Sequence, residues 1–348
     1  MKQGLLHKYN ASEIEILEGL EPVRRRPGMY IGGTDNNALH HLVTEIIDNS
    51  MDEVVAKHAT TININLIENN TIIISDNGRG IPIDNHPKYK NKSALEIIMT
   101  TLHSGGKFTN KNYVTSGGLH GVGASVVNAL SSFMKVEVVR AGCLYVQEFS
   151  KGMPKTPLLN KGKVNQSNGT SITFQPDAEI FGKDNIFNPD KIFNILENKA
   201  YLFKGVLINW KCDASLIKLN SNLPLSKKIF YINGILDYMK HKTVSSSLFT
   251  SSFFHGNVEI EGETVEWVVS WLTDNEPGFT ETFCNTVHTP LGGTHETGLR
   301  FAMTKGIKNF AELKGFKKAN EIVYDDLMVS TGSVLSIFIK EPQFQGQT

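Results

Sequence analysis

The stretch that decides the fold is residues 38–56, ALHHLVTEIIDNSMDEVVA. Its apolar side chains recur at spacings of three and four residues, which predicts one face of a helix packed on a core. His41, Glu45 and Asn49 are each four residues apart, so they lie in one row beside that face. A glutamate can take a proton from water and an asparagine carbonyl can bind Mg²⁺, although such a row is more often a solvated surface.

A second polar segment follows a short apolar run. Residues 71–75, TIIIS, are typical of a buried strand, and they continue directly into residues 76–82, DNGRGIP. The carboxylate of Asp76 at the end of a core strand, followed by glycines that let the backbone approach a flat ligand, suits recognition of the amino group of a purine. A simple Asx turn at Asp76 is the alternative.

A third segment is rich in glycine. Residues 116–123, SGGLHGVG, precede a predicted helix at 124–132. Glycines before a helix leave backbone N–H groups to bind phosphates at the positive end of the helix dipole. The loop is neither G-x-G-x-x-G nor a P-loop, since Lys107 of Gly106-Lys107 is followed by Phe108.

In this order, the three segments resemble the ATP-binding fold of type II DNA topoisomerase ATPase subunits, MutL mismatch-repair proteins, heat-shock chaperones and sensor histidine kinases. Further motifs are similar to the topoisomerase family alone: PGMYIG (27–32), HSGGKF (103–108), GGTH (292–295) and QGQT (345–348). Other stretches resemble the B subunit of topoisomerase IV more than the B subunit of gyrase, which stays the alternative: LEPVRRR (20–26), KFTNKNY (107–113) and PQF (342–344).

The resemblance implies an α+β fold in two domains. Residues 1–220 would form a two-layer α/β sandwich that binds ATP and carries an N-terminal dimerisation arm. Residues 221–348 would form a smaller α/β transducer domain, truncated on its C-terminal side. The transducer carries the nucleotide state toward the DNA gate in this family.

The resemblance also implies roles for individual residues. Glu45 would be the general base that activates water, and His41 would orient Glu45. The alternative for His41 is a packed helix histidine. Asn49 would hold Mg²⁺, and Asp76 would accept a hydrogen bond from the adenine amino group. The remaining nucleotide contacts that it implies are Tyr9 on the arm, the ion pair of Glu53 and Arg79, Gly80, Ile81, Pro82, Lys107, Tyr113, Gly117, Gly118, Leu119, His120, Gly121, Val122, Gly123, Arg140, Thr170 and Gln347.

The partners implied by the resemblance are a second copy of the chain, the DNA-gate subunit of topoisomerase IV and double-stranded DNA. Two chains would close into a homodimer when ATP binds, and the full-length protein would form a heterotetramer with the DNA-gate subunit. In this family a lysine that reaches the γ-phosphate follows the Gln-Thr pair, whereas this sequence stops at Thr348. We therefore expect a fragment that binds ATP well and hydrolyses it slowly.

Composition sets outer bounds on the function. A chain of 348 residues with 40% hydrophobic and 20% charged residues suits two globular domains. The absence of a membrane-length apolar run and of a secretory signal predicts a cytoplasmic protein without a membrane partner. Equal numbers of basic and acidic residues, 35 of each, argue against a chain whose main task is to grip nucleic acid. Cys143, Cys212 and Cys284 lack the spacing of a zinc site or a disulfide framework.

Three functions stay open on the sequence. The first is an ATPase that drives DNA strand passage, and the second is a nucleotide-gated clamp or chaperone in which hydrolysis is incidental. Glu45 separates these two, because only the first needs a general base. The third is a phosphotransferase like the sensor kinases, which the lack of a helical hairpin carrying an acceptor histidine disfavours.

Overall fold

The computed structural model describes residues 14–105, 122–218, 221–273 and 277–344. Within these ranges no helix is long and apolar enough to cross a membrane. The predicted site residues that lie outside them are Tyr9, Lys107, Tyr113, Gly117, Gly118, Leu119, His120, Gly121 and Gln347.

The first part of the chain contains helices and strands in successive runs. Its helices are α1 (Glu21–Arg25), α2 (Gly28–Ile31), α3 (Asn36–Val55), α4 (Ala94–Thr100), α5 (Gly123–Ala129), α6 (Ala178–Phe181) and α7 (Pro189–Leu202). Its strands are β1 (Thr61–Ile67), β2 (Thr71–Asp76), β3 (Asn85–His86), β4 (Tyr89–Ser93), β5 (Ser131–Arg140), β6 (Cys143–Ser150), β7 (Met153–Pro154), β8 (Leu159–Lys163), β9 (Gly169–Pro176), β10 (Leu207–Cys212) and β11 (Ser226–Ile229).

Within the described ranges, nine of these strands form one sheet in the order β11-β10-β1-β2-β9-β5-β6-β7, with β8 paired to β6. β1 and β10 run parallel, and the other neighbours in this sheet are antiparallel. Asn69 and Asn70 connect β1 to β2 with positive φ, a conformation that asparagine tolerates in tight turns. Residues 61–67 alternate apolar and polar side chains and lead through Asn69-Asn70 into the apolar run at 71–75, a pattern that predicts a hairpin. The hairpin is present.

The first core lies between one face of this sheet and the helices α3, α5 and α7. Along β1, Ile62, Ile64 and Leu66 are buried whereas Asn63 is exposed, so the strand has one covered and one wet face. α3 adds its apolar stripe to the same core, as its three- and four-residue spacing predicts. These two layers confirm the predicted α+β class and the α/β sandwich.

The rest of the chain contains a second sheet and the helices beside it. Its helices are α8 (Ile235–Lys242), α9 (Thr294–Leu313) and α10 (Tyr324–Met328), and its strands are β12 (Phe254–Ile260), β13 (Glu263–Trp271), β14 (Phe279–Cys284), β15 (Val287–His288) and β16 (Thr331–Phe338). The strand order is β12-β13-β16-β14-β15, with β14 and β16 parallel. Ile235 and Met239 of α8 pack on Val268 and Val334 in a second core.

The first sheet continues past the predicted boundary between residues 220 and 221. β11 pairs with β10, and Ile229 at its end is buried in the first core. α7 belongs to both cores, because Leu196 packs in the first while Tyr201 and Leu202 pack in the second. The division into two domains stays a prediction, and a boundary that keeps the sheet whole would fall after β11.

Candidate nucleotide-binding site

A cavity of roughly 1720 Å³ extends from α3, the end of β2, the start of β9 and the start of α5 to α7 and the second sheet. Its walls include all of the predicted site residues that the structure describes. These residues are His41, Glu45, Asn49, Glu53, Asp76, Arg79, Gly80, Ile81, Pro82, Val122, Gly123, Arg140 and Thr170. Three segments that are far apart in sequence are thus brought to one site.

α3 presents the row of His41, Glu45 and Asn49 to the cavity. The helix starts at a cap, since the Asp35 side chain accepts a hydrogen bond from the Ala38 N–H at 2.9 Å. His41 Nδ1 lies 3.6 Å from Glu45 Oε1, and both side chains are partly exposed. The apolar face of α3 is fixed in the core, so the row is held in place while its polar ends stay accessible.

The carboxylate of Glu45 lies directly against the first residue of α5. A Cβ placed on Gly123 would be 2.0 Å from Glu45 Oε2, so any side chain at this position would have to displace the carboxylate. Gly123 is the last residue of the predicted glycine loop. The acid of the first segment and the end of the third therefore share one wall of the cavity.

Asp76 ends β2 in the same cavity. Its Oδ1 accepts a hydrogen bond from the Gly78 N–H at 2.9 Å, and its Oδ2 accepts one from the Ser50 hydroxyl at 3.1 Å. The first bond is the Asx turn that the sequence left open, so the turn and an inward-facing carboxylate occur together. Burial raises the pKa of Asp76 to about 6, while the bonds from Gly78 and Ser50 act in the opposite direction.

Glu53 and Arg79 form a bidentate ion pair at the rim. Arg79 Nη2 donates to Glu53 Oε1 at 2.6 Å, and Arg79 Nε donates to Glu53 Oε2 at 3.1 Å. The Arg79 N–H also donates to Oε2, at 2.9 Å. A Cβ on Gly78 would be 2.7 Å from the same oxygen, so the glycine lets this segment lie close to α3.

Thr170 and Arg140 border the opposite side. Thr170 Oγ1 accepts a hydrogen bond from the Ile81 N–H at 3.2 Å, and Arg140 Nη1 donates to the Gly80 carbonyl at 2.7 Å. Gly80 has a φ of +78°, and a Cβ there would be 2.9 Å from the Val139 carbonyl oxygen. Both the conformation and the space at this position require glycine.

Two further residues beside the site were not predicted from the sequence. Ser50 bonds to Asp76, and Asp48 lies 2.6 Å from Lys199 Nζ of α7. Neither contact has a local signal, because each joins elements that are distant in the chain. The one available hint was that Lys199 interrupts the buried end of α7, where an unpaired charge would be costly.

Two family models match the chain. Residues 34–180 match the family described as histidine kinase-, DNA gyrase B-, and HSP90-like ATPase, and residues 234–348 match the family described as DNA gyrase B. The two-layer fold, the convergent site and the first match define an ATPase of the class shared by histidine kinases, gyrase B and HSP90.

Three known proteins show the more specific relationship. The B subunit of DNA topoisomerase 4 from Rickettsia bellii (strain RML369-C) is 52% identical over 342 residues, which is 98% of this chain and 51% of that relative. The 43K ATPase domain of Thermus thermophilus gyrase B, solved in complex with an aminocoumarin, has a TM-score of 0.78 and 34% identity over 94% of this chain and 83% of that one. The topoisomerase IV ATP-binding domain of Francisella tularensis, solved in complex with a small-molecule inhibitor, has a TM-score of 0.77 and 34% identity over 96% and 85%.

The chain therefore belongs to the family that comprises the B subunits of DNA gyrase and topoisomerase IV, the type II DNA topoisomerases. It spans about half the length of the curated relatives that it matches.

Proposed function

We propose that this chain binds and hydrolyses ATP as the ATPase portion of a type II DNA topoisomerase of the topoisomerase IV branch. The observation that carries the proposal is that Glu45, Asp76 and Gly123, from three separate segments, line one cavity. The match to an ATPase family supports the nucleotide, and the 52% identity to the B subunit of a DNA topoisomerase 4 supports the branch. A gyrase B fragment is the alternative within the family.

Asp76 marks the adenine end of the proposed site. An ionised carboxylate can only accept hydrogen bonds, which suits the exocyclic amino group of adenine. The planar guanidinium of Arg79, held by Glu53, offers a surface on which a base can stack, with Pro82 also in the wall. Gly80 also lines the cavity, and its lack of a side chain lets this segment pack closely against β5 and the start of β9.

The phosphate end lies at the start of α5. Backbone N–H groups at a helix start carry partial positive charge and favour phosphate oxygens. Glu45, in contact range of Gly123, is then next to the terminal phosphate, where its carboxylate takes a proton from the attacking water. His41, 3.6 Å away, orients that carboxylate.

Several proposed contacts come from outside the described ranges. Lys107, Tyr113 and residues 117–121 would complete the phosphate end. Tyr9 would reach the nucleotide of the second copy, and Gln347 would approach from the C-terminal side. Their support is the resemblance of their motifs to the family.

The donor set at the phosphate end fits a magnesium ion. Asn49, one helical turn after Glu45, lines the same cavity and would hold the ion through its amide oxygen. Among the described residues, no group of three or more His, Cys, Asp or Glu side chains could hold a metal on its own. A magnesium ion bound by Asn49 would take its other ligands from phosphate oxygens and water. It would neutralise part of the phosphate charge.

We further propose the partners of the longer protein. Two copies would close into a dimer when ATP binds, and the protein would assemble with the DNA-gate subunit of topoisomerase IV to pass double-stranded DNA through a double-strand break. It would act in the cytoplasm, where the DNA of bacteria lies. Membership of the family supports these partners.

Replacing Glu45 by Ala tests the proposed chemistry. We expect phosphate release to fall by a factor on the order of 10² to 10⁴, because the general base is lost. The Kd of a non-hydrolysable ATP analogue, measured by titration calorimetry, should stay within about threefold of the wild-type value, since Glu45 acts only in the transition state. Glu312→Ala, an exposed glutamate on α9, is the matched control and should change neither quantity. Wild-type turnover in Glu45→Ala would remove Glu45 as the base.

A further inference from the structure

Lys199 is a buried lysine that connects the site helix to the second sheet. It lies on α7 and is 6% exposed. Its Nζ is 2.6 Å from Asp48 Oδ1 on α3, 3.1 Å from the Thr286 carbonyl oxygen and 3.0 Å from Thr286 Oγ1. The ammonium group therefore forms an ion pair with α3 and donates two hydrogen bonds to the turn between β14 and β15.

The α3 end of this connection is next to the proposed chemistry. Asp48 immediately precedes Asn49 and follows Glu45 by three residues, so it moves with the part of α3 that carries both. Asp48, Lys199 and Thr286 all line the same cavity as the site. A shift of α3 when a nucleotide binds would thus change the geometry of an ion pair that is shielded from water.

The turn at the other end is conformationally strained. Asn285 and Thr286 both have positive φ, 47° and 69°, and both are buried. A two-residue hairpin loop of this kind favours glycine, and a β-branched residue with positive φ is an outlier that the surroundings must hold in place. The two hydrogen bonds from Lys199 are part of what holds Thr286.

The same turn is also fixed to the end of β16. The Asn285 N–H donates to the Ile337 carbonyl at 2.8 Å. The Asn285 side chain donates to the Ile339 carbonyl at 2.9 Å and accepts from the Ile339 N–H at 2.8 Å. β16 continues into residues 340–344, which lead toward Gln347. A continuous set of buried polar contacts therefore runs from α3 to the C-terminal end of the second sheet.

We propose that Lys199 is a positioning residue, which transmits the nucleotide state of the cavity from α3 to the β14–β15 turn and the end of β16. This inference rests on the proposed function, because it supplies the connection between ATP binding and the second sheet. Lys199 touches neither the nucleotide nor the reacting atoms in this scheme. Its effect should appear in the response of the second sheet, separately from nucleotide affinity.

The test compares Lys199→Met with Lys204→Met. Methionine keeps the length of the lysine stem but removes the ion pair with Asp48 and both hydrogen bonds to Thr286. Lys204 also joins the two parts of the chain, since its Nζ is 2.5 Å from Glu266 of β13, but it is 47% exposed and does not contact Asp48 or Thr286. It is therefore a matched control for loss of an ion pair between the two sheets.

The measurement is hydrogen exchange of backbone amides in residues 285–288 and 331–339, with and without a non-hydrolysable ATP analogue and Mg²⁺, together with the Kd of the analogue. In the wild-type chain and in Lys204→Met, the analogue should slow exchange in both segments. Lys199→Met should bind the analogue with a Kd within about threefold of wild type, while the slowing becomes smaller by about fivefold or more.

A full exchange response in Lys199→Met would overturn the proposal, and so would an equal loss in Lys204→Met. A wild-type chain that binds the analogue without any change in these segments would also overturn it. A wild-type chain that does not bind the analogue would instead contradict the proposed function.

Thr286→Gly keeps the proposal testable if Lys199→Met does not fold. Glycine favours the positive φ of this position, so the melting temperature should equal or exceed that of the wild type. The variant loses the hydrogen bond from Lys199 to Oγ1, and glycine removes the strain in the turn. The exchange response of residues 331–339 should therefore still decrease. An undiminished response in this folded variant would overturn the proposal.

Discussion

At the scale of single residues, Asp76 carries a charge in a partly buried position. Its folded-state pKa of about 6 leaves the carboxylate ionised at neutral pH, although burial favours the neutral form. The hydrogen bonds from Gly78 and Ser50 leave further lone pairs on the carboxylate for the amino group of a ligand. Keeping this acceptor ionised lowers the stability of the free protein.

Asp76→Asn should therefore stabilise the free protein and weaken nucleotide binding. The amide oxygen can accept from the Gly78 N–H, and the amide N–H can donate to the Ser50 hydroxyl, which reverses that bond. The substitution removes the partly buried charge and places a donor opposite the amino group of the proposed adenine contact. We expect the free energy of unfolding to rise by about 1 to 3 kcal/mol at neutral pH, and the Kd of an ATP analogue to rise by about tenfold or more. Thermal unfolding and titration calorimetry measure the two effects, and a variant that binds as tightly as wild type would remove Asp76 from the adenine contact.

The stabilisation by Asp76→Asn should depend on pH with a defined sign. The folded pKa of about 6 lies above the reference value of 3.8, so the folded protein binds this proton more tightly than the unfolded chain. Stability from this group is therefore present below about pH 4 and is lost as the pH rises through about 6. The difference in unfolding free energy between variant and wild type should be largest at about pH 7.5 and approach zero near pH 4. A difference that is constant across this range would contradict the raised pKa.

Gly123→Ala tests the contact between Glu45 and α5. The new Cβ would be 2.0 Å from Glu45 Oε2, so the carboxylate must rotate away from the cavity wall. Alanine suits a helix, so the fold should persist while phosphate release falls by a factor on the order of 10². Gly298→Ala on α9, where a Cβ meets open space, is the control for the substitution itself. Wild-type turnover in Gly123→Ala would show that the position of Glu45 against α5 does not matter for hydrolysis.

At the scale of elements, the sequence predicted those features that are set by local spacing. The helix α3 and the β1–β2 hairpin lie where their periodicity or turn residues place them. Two β-rich runs around Gly262, within 258–272, predict a strand pair, and β12 and β13 form it. The sequence after GGTH predicts a long helix over 296–306, whereas α9 extends from Thr294 to Leu313 and buries Ala311 beyond the glycine at 306. The stretch 84–92 lacks an apolar pattern, so its short β3–β4 pair could not be predicted.

Contacts between elements could not be predicted from periodicity. Spacing indicates which face of a helix is buried, but not which element covers it, so the contacts of Ser50 with Asp76 and of Asp48 with Lys199 were missed. The convergence of the three site segments was expected only because their order resembles a known family. Their geometry in one cavity required the folded chain.

The cap of α3 gives a prediction that belongs to this scale. Asp35→Ala removes the hydrogen bond to the Ala38 N–H, so the free energy of unfolding should fall by about 1 kcal/mol. Asp35 is ten residues before Glu45, so analogue affinity should change by less than about twofold. Urea unfolding and titration calorimetry measure the two quantities. A large loss of affinity without loss of stability would mean that the start of α3 takes part in binding.

At the scale of the whole molecule, the two parts of the chain that carry the two sheets are in direct contact. The cavity extends from the site to Glu281, His288 and Gly292 of the second part, and α7 contributes side chains to both cores. Separating the two parts would cost free energy, because apolar contacts and the buried Lys199 ion pair would be lost together. Binding in the cavity can therefore affect the second sheet through direct contacts.

A crystal structure of the chain with a non-hydrolysable ATP analogue and Mg²⁺ would show whether the three separate segments bind a single adenine nucleotide. We expect the adenine amino group within hydrogen-bond distance of the Asp76 carboxylate, and the terminal phosphate beside Glu45 and Gly123. An analogue bound elsewhere on the molecule, or one whose adenine lies away from Asp76, would contradict the proposed binding site.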